Sequence, residues 1–181
     1  MSLSNHIANT YGSKKGMLRF YKYRLLSMFS SNYRSLLPQR GQVKRLVFIC
    51  SGNICRSAFG EAVSRKLGFP AVSYGLHCRG GDTANERAMA FAKENGYELE
   101  NHVTQNINSY EPQSGDLVLF VEPSHYRQAP DCIRESQFIY LGRYTSVRNL
   151  YLHDPFSANN SYFVKNMKAI EMGVKEILKE I

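Results

Sequence analysis

The 181-residue chain has no aspartate or glutamate before Glu61, no tryptophan and only four cysteines. Four cysteines in a chain of this length do not suggest a disulfide framework, so we expect reduced thiols and a cytoplasmic protein. No run of about 18 uncharged apolar residues occurs, so we predict no membrane-spanning helix. The apolar stretch from Met17 to Phe29 is interrupted by three basic residues, which is atypical of a signal peptide.

Three further patterns are absent. The sequence contains no G-x-x-x-x-G-K-[ST] and no G-x-G-x-x-G, which argues against a nucleotide P-loop and a dinucleotide site. It contains no C-x-x-C, and its five histidines are scattered, so a zinc site is not expected. We therefore predict neither a metal nor another cofactor.

The missing acidic residues make the charge uneven along the chain. The net charge of +8 divides into +7 for residues 1–42 and +1 for residues 43–181. This division predicts a basic N-terminal extension, helical or partly disordered, before a nearly neutral domain at 43–181, and it makes a nucleic-acid partner unlikely for the domain.

The extension contains an apolar arc. On a helical wheel, an arc of about 120° holds six side chains: Met17, Leu18, Tyr21, Leu25, Met28 and Phe29. Two interpretations stay open. The extension either folds back on the domain as a solvated segment, or binds an acidic partner or a membrane surface, placing a cytoplasmic protein at the inner membrane.

The rest of the chain alternates between strand-like and helix-like segments. Apolar runs predict strands at 43–50, 71–74, 116–121 and 137–141. Helical spacing predicts helices over 57–67, 83–95, 124–133 and 161–181. The alternation predicts a single α/β domain with a parallel sheet of about four strands and helices on both faces. Ligands of such sheets bind at the carboxyl ends of the strands, where Cys50 lies.

The segment from Cys50 to Ser57 joins the first predicted strand to a helix and contains the candidate catalytic residues. A strand–loop–helix junction of this length can surround a tetrahedral anion with backbone N–H groups. Gly52 and Asn53 tolerate positive φ angles, and Arg56 can bind two phosphate oxygens. A thiol inside such a loop and beside a cation is favoured as the thiolate. The segment therefore predicts a nucleophile directed at phosphorus.

Residues 50–57 resemble the signature C-x-G-N-x-C-R-S of the low-molecular-weight protein tyrosine phosphatases, with six specified positions matching. Ser73-Tyr74-Gly75 is similar to the family's S-A-G segment, and Asp154-Pro155-Phe156 matches its D-P-[YF]. The resemblance covers roughly residues 43–181 and leaves the basic extension outside.

The resemblance implies a role for each matching residue. Cys50 would attack phosphorus and form a cysteinyl-phosphate, and Asp154 would be the general acid and base. Asn53, Ser57 and Ser73 would support the loop, and Cys55 is a redox candidate. Phosphate would be bound by Ser51, Gly52, Asn53, Ile54, Cys55 and Arg56. Because the chain lacks tryptophan, the wall beside the substrate ring would come from Tyr74, Phe156 or another loop.

Alternatives share this loop. An arsenate reductase would need two further cysteines close together, whereas Cys78 and Cys132 are far apart in the chain. A protein-arginine phosphatase typically has threonine where Ile54 stands. A non-catalytic phosphotyrosine-binding protein would not need the complete set of Cys50, Arg56 and Asp154. The expected partner is a phosphotyrosine-containing protein, with a bacterial tyrosine kinase of polysaccharide export as one candidate.

Overall fold

The structure, a computed structural model, describes residues 2–29 and 37–181. Two helices come first, α1 (Leu3–Tyr11) and α2 (Lys14–Phe29). The alternating part contains four strands, β1 (Arg45–Cys50), β2 (Ala71–Gly75), β3 (Asp116–Phe120) and β4 (Phe138–Tyr140). Its helices are α3 (Arg56–Lys66), α4 (Glu86–Glu94), α5 (Pro123–Gln128), α6 (Asp131–Arg134) and α7 (Asn160–Glu180). Short 3-10 turns span Ile107–Ser109 and Leu141–Tyr144.

The four strands form one parallel sheet in the order β2-β1-β3-β4. This confirms the predicted α/β class, the strand number and the parallel direction. Strand β1 pairs with β2 and β3 on either side, so its carboxyl end, at Cys50, lies in the middle of the edge where ligands bind.

Side chains that alternate along the strands pack into two hydrophobic cores, one on each face of the sheet. Leu46 and Phe48 of β1 join the side chains of α3, α4 and α7 on one face of the sheet. Val47 and Ile49 join a more aromatic core on the other face, which includes Tyr23 of the extension. Both faces of β1 are fully buried, as expected for a central parallel strand.

The N-terminal extension folds back onto the domain. Helix α1 contacts α7, and Tyr23 of α2 is only 5% exposed because its ring packs 5.6 Å from the ring of Tyr151. The predicted apolar arc of α2 does not pack against the domain but points mostly to solvent. Leu18, Tyr21, Leu25 and Met28 are exposed, Met17 is half-buried, and the Phe29 side chain lies outside the described residues.

One predicted helix differs from the observed structure. The helix expected over 124–133 is two short helices, because Pro130 lacks an N–H and Ala129 before it is extended. The first of them begins at Pro123, with Glu122 in the N-cap position. The extension, predicted as helical or partly disordered, contains the helices α1 and α2. None of the described helices is long and apolar enough to cross a membrane.

Candidate active site

The loop between β1 and α3 turns within six residues. Asn53 has a φ of 56°, in the left-handed region, and Cys55 is the N-cap residue of α3. Asparagine is the non-glycine residue that adopts this conformation most readily, as the sequence predicted. The turn directs the first amide groups of α3 and the side chain at the end of β1 toward one cleft.

The Cys50 thiol is almost completely buried and receives two hydrogen-bonding groups. Its Sγ lies 2.9 Å from Ser57 Oγ and accepts a hydrogen bond from the Asn53 backbone N–H at 3.3 Å. Donors directed at sulfur stabilise a negative charge on it. The structure therefore places Ser57 and Asn53 against Cys50 in the supporting positions that were expected.

Asn53 connects the loop to its surroundings. Its Nδ2 donates to Ser57 Oγ at 2.9 Å and to Ser73 Oγ at 2.7 Å, and its Oδ1 accepts from Gln105 N at 2.8 Å. The backbone carbonyl of Asn53 lies 2.8 Å from Nε2 of His102. Because the side chain is fully buried, these partners fix the loop conformation before any ligand binds.

Beneath the loop lies a carboxylate that sequence reasoning missed. Ser73 Oγ donates to Glu61 Oε2 at 2.5 Å, and Glu61 pairs with Arg65 at 2.8 Å. The chain of contacts therefore runs from Cys50 through Ser57, Asn53 and Ser73 to a buried acid. A glutamate one turn into α3 has helical spacing from Arg65, and that spacing was the only signal in the sequence.

Arg56 is buried and held by the segment that carries Asp154. Its Nη1 donates to the Leu152 carbonyl at 3.0 Å, and its Nη2 lies 3.0 Å from Asp154 Oδ2. Its buried Nε has no hydrogen-bond partner within the described part of the chain. Burial opposes the positive charge, but Asp154 and Cys50 outweigh it and raise the pKa of Arg56. A buried cation with an unused donor suits an anionic ligand.

The cleft above the loop is small, with a volume of about 140 Å³. Its lining consists of Cys50, Ser51, Gly52, Ile54, Cys55, Arg56, Asp154 and Phe156. The Asp154 side chain is 48% exposed and Phe156 is 55% exposed, so both can meet a ligand that enters from solvent. Phe156 is thus positioned as a wall for a ring above the loop.

The prediction that Tyr74 lines the substrate site is wrong. Tyr74 is 6% exposed and packs edge-on against Tyr110 in the core under the opposite face of the sheet. In β2, successive side chains point to opposite faces, and Tyr74 pairs in register with Ile49 rather than with Cys50. Ile54, which lines the cleft, takes the position that the sequence suggested for Tyr74.

Cys55 lies in the same cleft as Cys50, and both are free thiols. Burial, with the neighbouring Cys50 and Asp154 as smaller causes, raises the pKa of Cys55 to about 12. The loop therefore holds one thiol that stays protonated beside a second thiol that is surrounded by donors.

The site combines a buried thiol, a buried guanidinium and a half-exposed carboxylate that line one cleft. No three histidine, cysteine or acidic side chains converge as metal ligands in the parts of the chain that the structure describes. Fold and site together define an α/β protein with a cysteine inside an anion-binding loop.

A family model described as low molecular weight phosphotyrosine protein phosphatase matches residues 45–181. The chain therefore belongs to this family, as the motif resemblance indicated, and it is an enzyme of the phosphatase class. A curated relative, the low molecular weight phosphotyrosine protein phosphatase of Gallus gallus, is 28% identical over 143 residues. The alignment covers 68% of this chain and 86% of that protein.

Two solved structures show the same fold. Wzb of Vibrio vulnificus in complex with benzylphosphonate has a TM-score of 0.64 and 25% identity, covering 77% of this chain and 99% of that one. The YwlE arginine phosphatase of Geobacillus stearothermophilus also has a TM-score of 0.64, with 20% identity over 75% of this chain and 91% of that one. The second likeness concerns the fold alone.

Proposed function

We propose that the protein hydrolyses phosphotyrosine in proteins through a cysteinyl-phosphate on Cys50. One observation carries the proposal: the cleft brings together the side chains of Cys50, Arg56 and Asp154. A nucleophile, a bidentate phosphate ligand and a proton donor are what the transfer of a phosphoryl group from an aryl ester requires.

In the first step the Cys50 thiolate attacks phosphorus, and an S–P bond forms while the aryl O–P bond breaks. The protonated Asp154 carboxyl gives its proton to the leaving phenolate, so a neutral phenol departs. The loop N–H groups from Ser51 to Arg56 and the Arg56 guanidinium bind the phosphoryl oxygens as charge spreads over them.

In the second step water attacks phosphorus, and the S–P bond breaks. The Asp154 carboxylate left by the first step takes a proton from this water, and inorganic phosphate is released. Ser57 Oγ and the Asn53 N–H, at 2.9 and 3.3 Å from the sulfur, stabilise Cys50 as the leaving thiolate. The same carboxyl group, that of Asp154, thus transfers the proton in both steps.

The walls of the cleft favour an aryl ester. Phe156 and Ile54 present apolar surface above the loop, which suits an aromatic ring, and Asp154 is the carboxylate among the residues that line the cleft. The benzylphosphonate held by the similar Wzb supports the same substrate class for this chain. A protein-arginine phosphatase, the alternative that shares this fold, typically has a polar threonine at the position of Ile54.

The test compares a phosphotyrosine peptide with a phosphoarginine peptide of the same sequence. We expect kcat/KM to be at least about 100-fold higher for phosphotyrosine, and Cys50→Ser to abolish turnover of both peptides and of p-nitrophenyl phosphate. Unchanged turnover by Cys50→Ser would refute the proposed nucleophile. A preference for phosphoarginine would assign the other substrate, and tight binding of aryl phosphates without turnover would indicate a binding protein.

We also propose that Cys55 protects the nucleophile. A peroxide would oxidise the Cys50 thiolate to a sulfenic acid, and the Cys55 thiol would then form a disulfide with it and release water. A thiol reductant would restore both groups. After treatment with peroxide, the wild type should regain activity with dithiothreitol, whereas Cys55→Ser should be inactivated irreversibly; equal recovery would remove this role.

For the cellular partner we propose a phosphotyrosine-containing protein of the cytoplasm, where free thiols such as Cys50 stay reduced. The motif resemblance favours a bacterial tyrosine kinase. Asp154→Ala keeps the loop but loses the proton donor, so it should retain a phosphorylated partner long enough for a pull-down. The captured protein must be released by vanadate, which competes for the loop, to count as a substrate.

A further inference from the structure

We propose that the N-terminal extension is a positioning element for catalysis, which holds the general-acid segment through Ser13 and His153. The inference rests on the proposed function, because it gives a role to residues that support Asp154. The family model begins at residue 45, so α1 and α2 lie outside the part of the chain that it matches.

His153, directly before Asp154, is the point of contact. Its Nε2 lies 3.0 Å from Ser13 Oγ, between α1 and α2, and its Nδ1 lies 2.6 Å from the Tyr151 hydroxyl. Burial, and secondly the charge of Arg56, lower the pKa of His153, so the ring is neutral and has one donor and one acceptor nitrogen.

The neighbours of this pair determine the direction of the hydrogen bonds. Arg19 of α2, which can only donate, interacts with the Tyr151 hydroxyl. We therefore assign the Tyr151 hydroxyl as the donor to Nδ1 and the Nε2–H of His153 as the donor to Ser13 Oγ. Ser13 Oγ also accepts the Gly16 N–H at 2.9 Å, so the same atom caps α2 and holds His153.

Two glycines make room for the His153 ring. A Cβ at Gly12 would lie 2.6 Å from His153 Cδ2, and a Cβ at Gly16 would lie 2.8 Å from the same atom. Gly12 also has a φ of 79°, which only glycine adopts without strain. Side chains at either position would separate the extension from the acid segment.

The other side of the segment is held by the end of β3 and by Arg56. Leu152 N donates to the Val121 carbonyl at 2.9 Å, and the Leu152 carbonyl accepts from Arg56 at 3.0 Å. The backbone before Asp154 is thus held between the extension and Arg56. Loss of the contacts on the extension side would leave Asp154 less precisely placed, and proton transfer is sensitive to small displacements.

The experiment measures how strongly kcat/KM depends on the leaving group, because a misplaced acid matters most when the departing phenolate is basic. Ser13→Ala and His153→Gln, made in the full chain, should lower kcat/KM about 10-fold for phenyl phosphate and less than about 3-fold for p-nitrophenyl phosphate. Inhibition by inorganic phosphate should not change. Ser13→Thr, which keeps the hydroxyl, should restore the ratio between the substrates.

The matched control is Tyr23→Phe, which removes a different hydrogen bond between α2 and the domain, the one from Arg127 at 3.1 Å. It should leave the substrate ratio unchanged. If Ser13→Ala and His153→Gln lower kcat/KM equally for both substrates, the contact serves stability alone and the positioning role is refuted. If the wild type turns over neither substrate, the proposed function fails with it.

The outward face of α2 carries a second inference. Leu18, Tyr21, Leu25 and Met28 recur at helical spacing, and their side chains are 53–71% exposed. Lys14, Lys15, Lys22 and Arg24 of the same helix are also exposed, and no acidic residue occurs before Glu61. We infer that this face, the outer stripe, lies on an anionic membrane surface, because apolar side chains flanked by cations match the interface of anionic lipids.

Vesicle sedimentation tests the outer stripe. The full chain should bind vesicles of phosphatidylglycerol and phosphatidylcholine, with lower affinity in high salt, and should not bind phosphatidylcholine alone. The double variant Leu18→Ser/Leu25→Ser should bind at least about 10-fold more weakly. The double variant Leu67→Ser/Val103→Ser, at exposed positions elsewhere, is the control. Equal vesicle binding by both double variants would refute the inference. Dimerisation of the full chain through the outer stripe would refute it as well.

Discussion

Asp154 and Arg56 form an ion pair that a bound phosphate must rearrange. Nη2 of Arg56 lies 3.0 Å from the Asp154 carboxylate, yet Arg56 is buried and Asp154 is half-exposed. A dianionic phosphate would compete with the carboxylate for the guanidinium. The ion pair thus keeps the guanidinium in place, and under the proposed mechanism a bound phosphate would free Asp154 to act as the acid.

Asp154→Ala follows from this arrangement. We expect kcat/KM for phosphotyrosine to fall about 100-fold or more, because the phenolate would depart without a proton. Binding of inorganic phosphate should be retained or strengthened, since Arg56 no longer pairs with a carboxylate. Steady-state kinetics with phosphate as a competitive inhibitor measure both quantities, and a variant with normal kcat/KM would assign the acid elsewhere.

Asn53 combines a left-handed backbone with side-chain hydrogen bonds, and two substitutions separate these contributions. Asn53→Gly and Asn53→Ala both lose the bonds to Ser57 and Ser73, so both should lose most activity. Alanine should in addition unfold about 1 kcal/mol more easily than glycine, because a Cβ is strained at a φ of 56°. Urea unfolding measures the difference; equal stabilities would mean that the loop relaxes its φ angle.

At the scale of elements, the strands were the most predictable part of the fold. Each predicted strand overlaps an observed one, because strands buried on both faces appear as uninterrupted apolar runs such as Leu46 to Ile49. Helix α1 was predicted only as part of a helical or partly disordered extension. Leu3, Ile7 and Tyr11 recur at helical spacing, but all nine residues of the helix are at least partly exposed, so no buried face marks its bounds. Its stability comes from an N-cap at Ser2 and from contacts with α2 and α7.

In the candidate site too, some residues could be predicted from the local sequence and others could not. Asn53 and Arg56 could be read from the sequence, since the turn requires a left-handed residue and an anion-binding cation. The expected positive φ at Gly52 is not used, and a Cβ there would meet only the Ile54 side chain, at 3.6 Å. Glu61 and His153 were missed because their roles come from contacts with Ser73 and Ser13, which the fold brings together from distant positions. Tyr74 was misplaced because the direction of a side chain at a strand end depends on register.

Helix α5 contributes a pH-sensitive group. Burial, and secondly the charge of Arg56, lower the pKa of His125 well below its ordinary value, and its Nε2 lies 3.2 Å from Glu122. Below about pH 6.5 the unfolded chain therefore binds a proton that the folded protein does not bind. The free energy of unfolding should fall as the pH drops below this value.

Urea unfolding of the wild type and His125→Gln at pH values between about 5 and 8 tests this expectation. The variant should show a flatter pH dependence below about pH 6.5, because one of the groups that takes up a proton on unfolding is gone. His153 acts in the same direction in both proteins and does not affect the comparison. Parallel curves would mean that His125 titrates normally in the folded state.

The whole molecule depends on its extension to cover the sheet. Helices α3, α4 and α7 bury one face, whereas the other face is covered by aromatic side chains from loops, by α5 and α6, and by Tyr23 of α2. Asn149 Nδ2 donates to the Phe20 carbonyl of α2 at 3.0 Å, which adds a polar contact to this packing. Helix α2 thus contributes to the core with one side and displays the outer stripe on the other.

If the extension and the domain form one folding unit, substitutions on the two sides of α2 should differ in cost. Tyr23→Ala removes a ring that is 5% exposed and should lower the free energy of unfolding by about 3 kcal/mol, in a single transition with the rest of the chain. Leu25→Ala, two residues further along but 58% exposed, should cost less than about 0.5 kcal/mol. Urea unfolding followed by far-UV circular dichroism and by tyrosine fluorescence measures both costs. Equal costs, or an early separate transition in the wild type, would mean that α2 is docked too weakly to hold His153 in place.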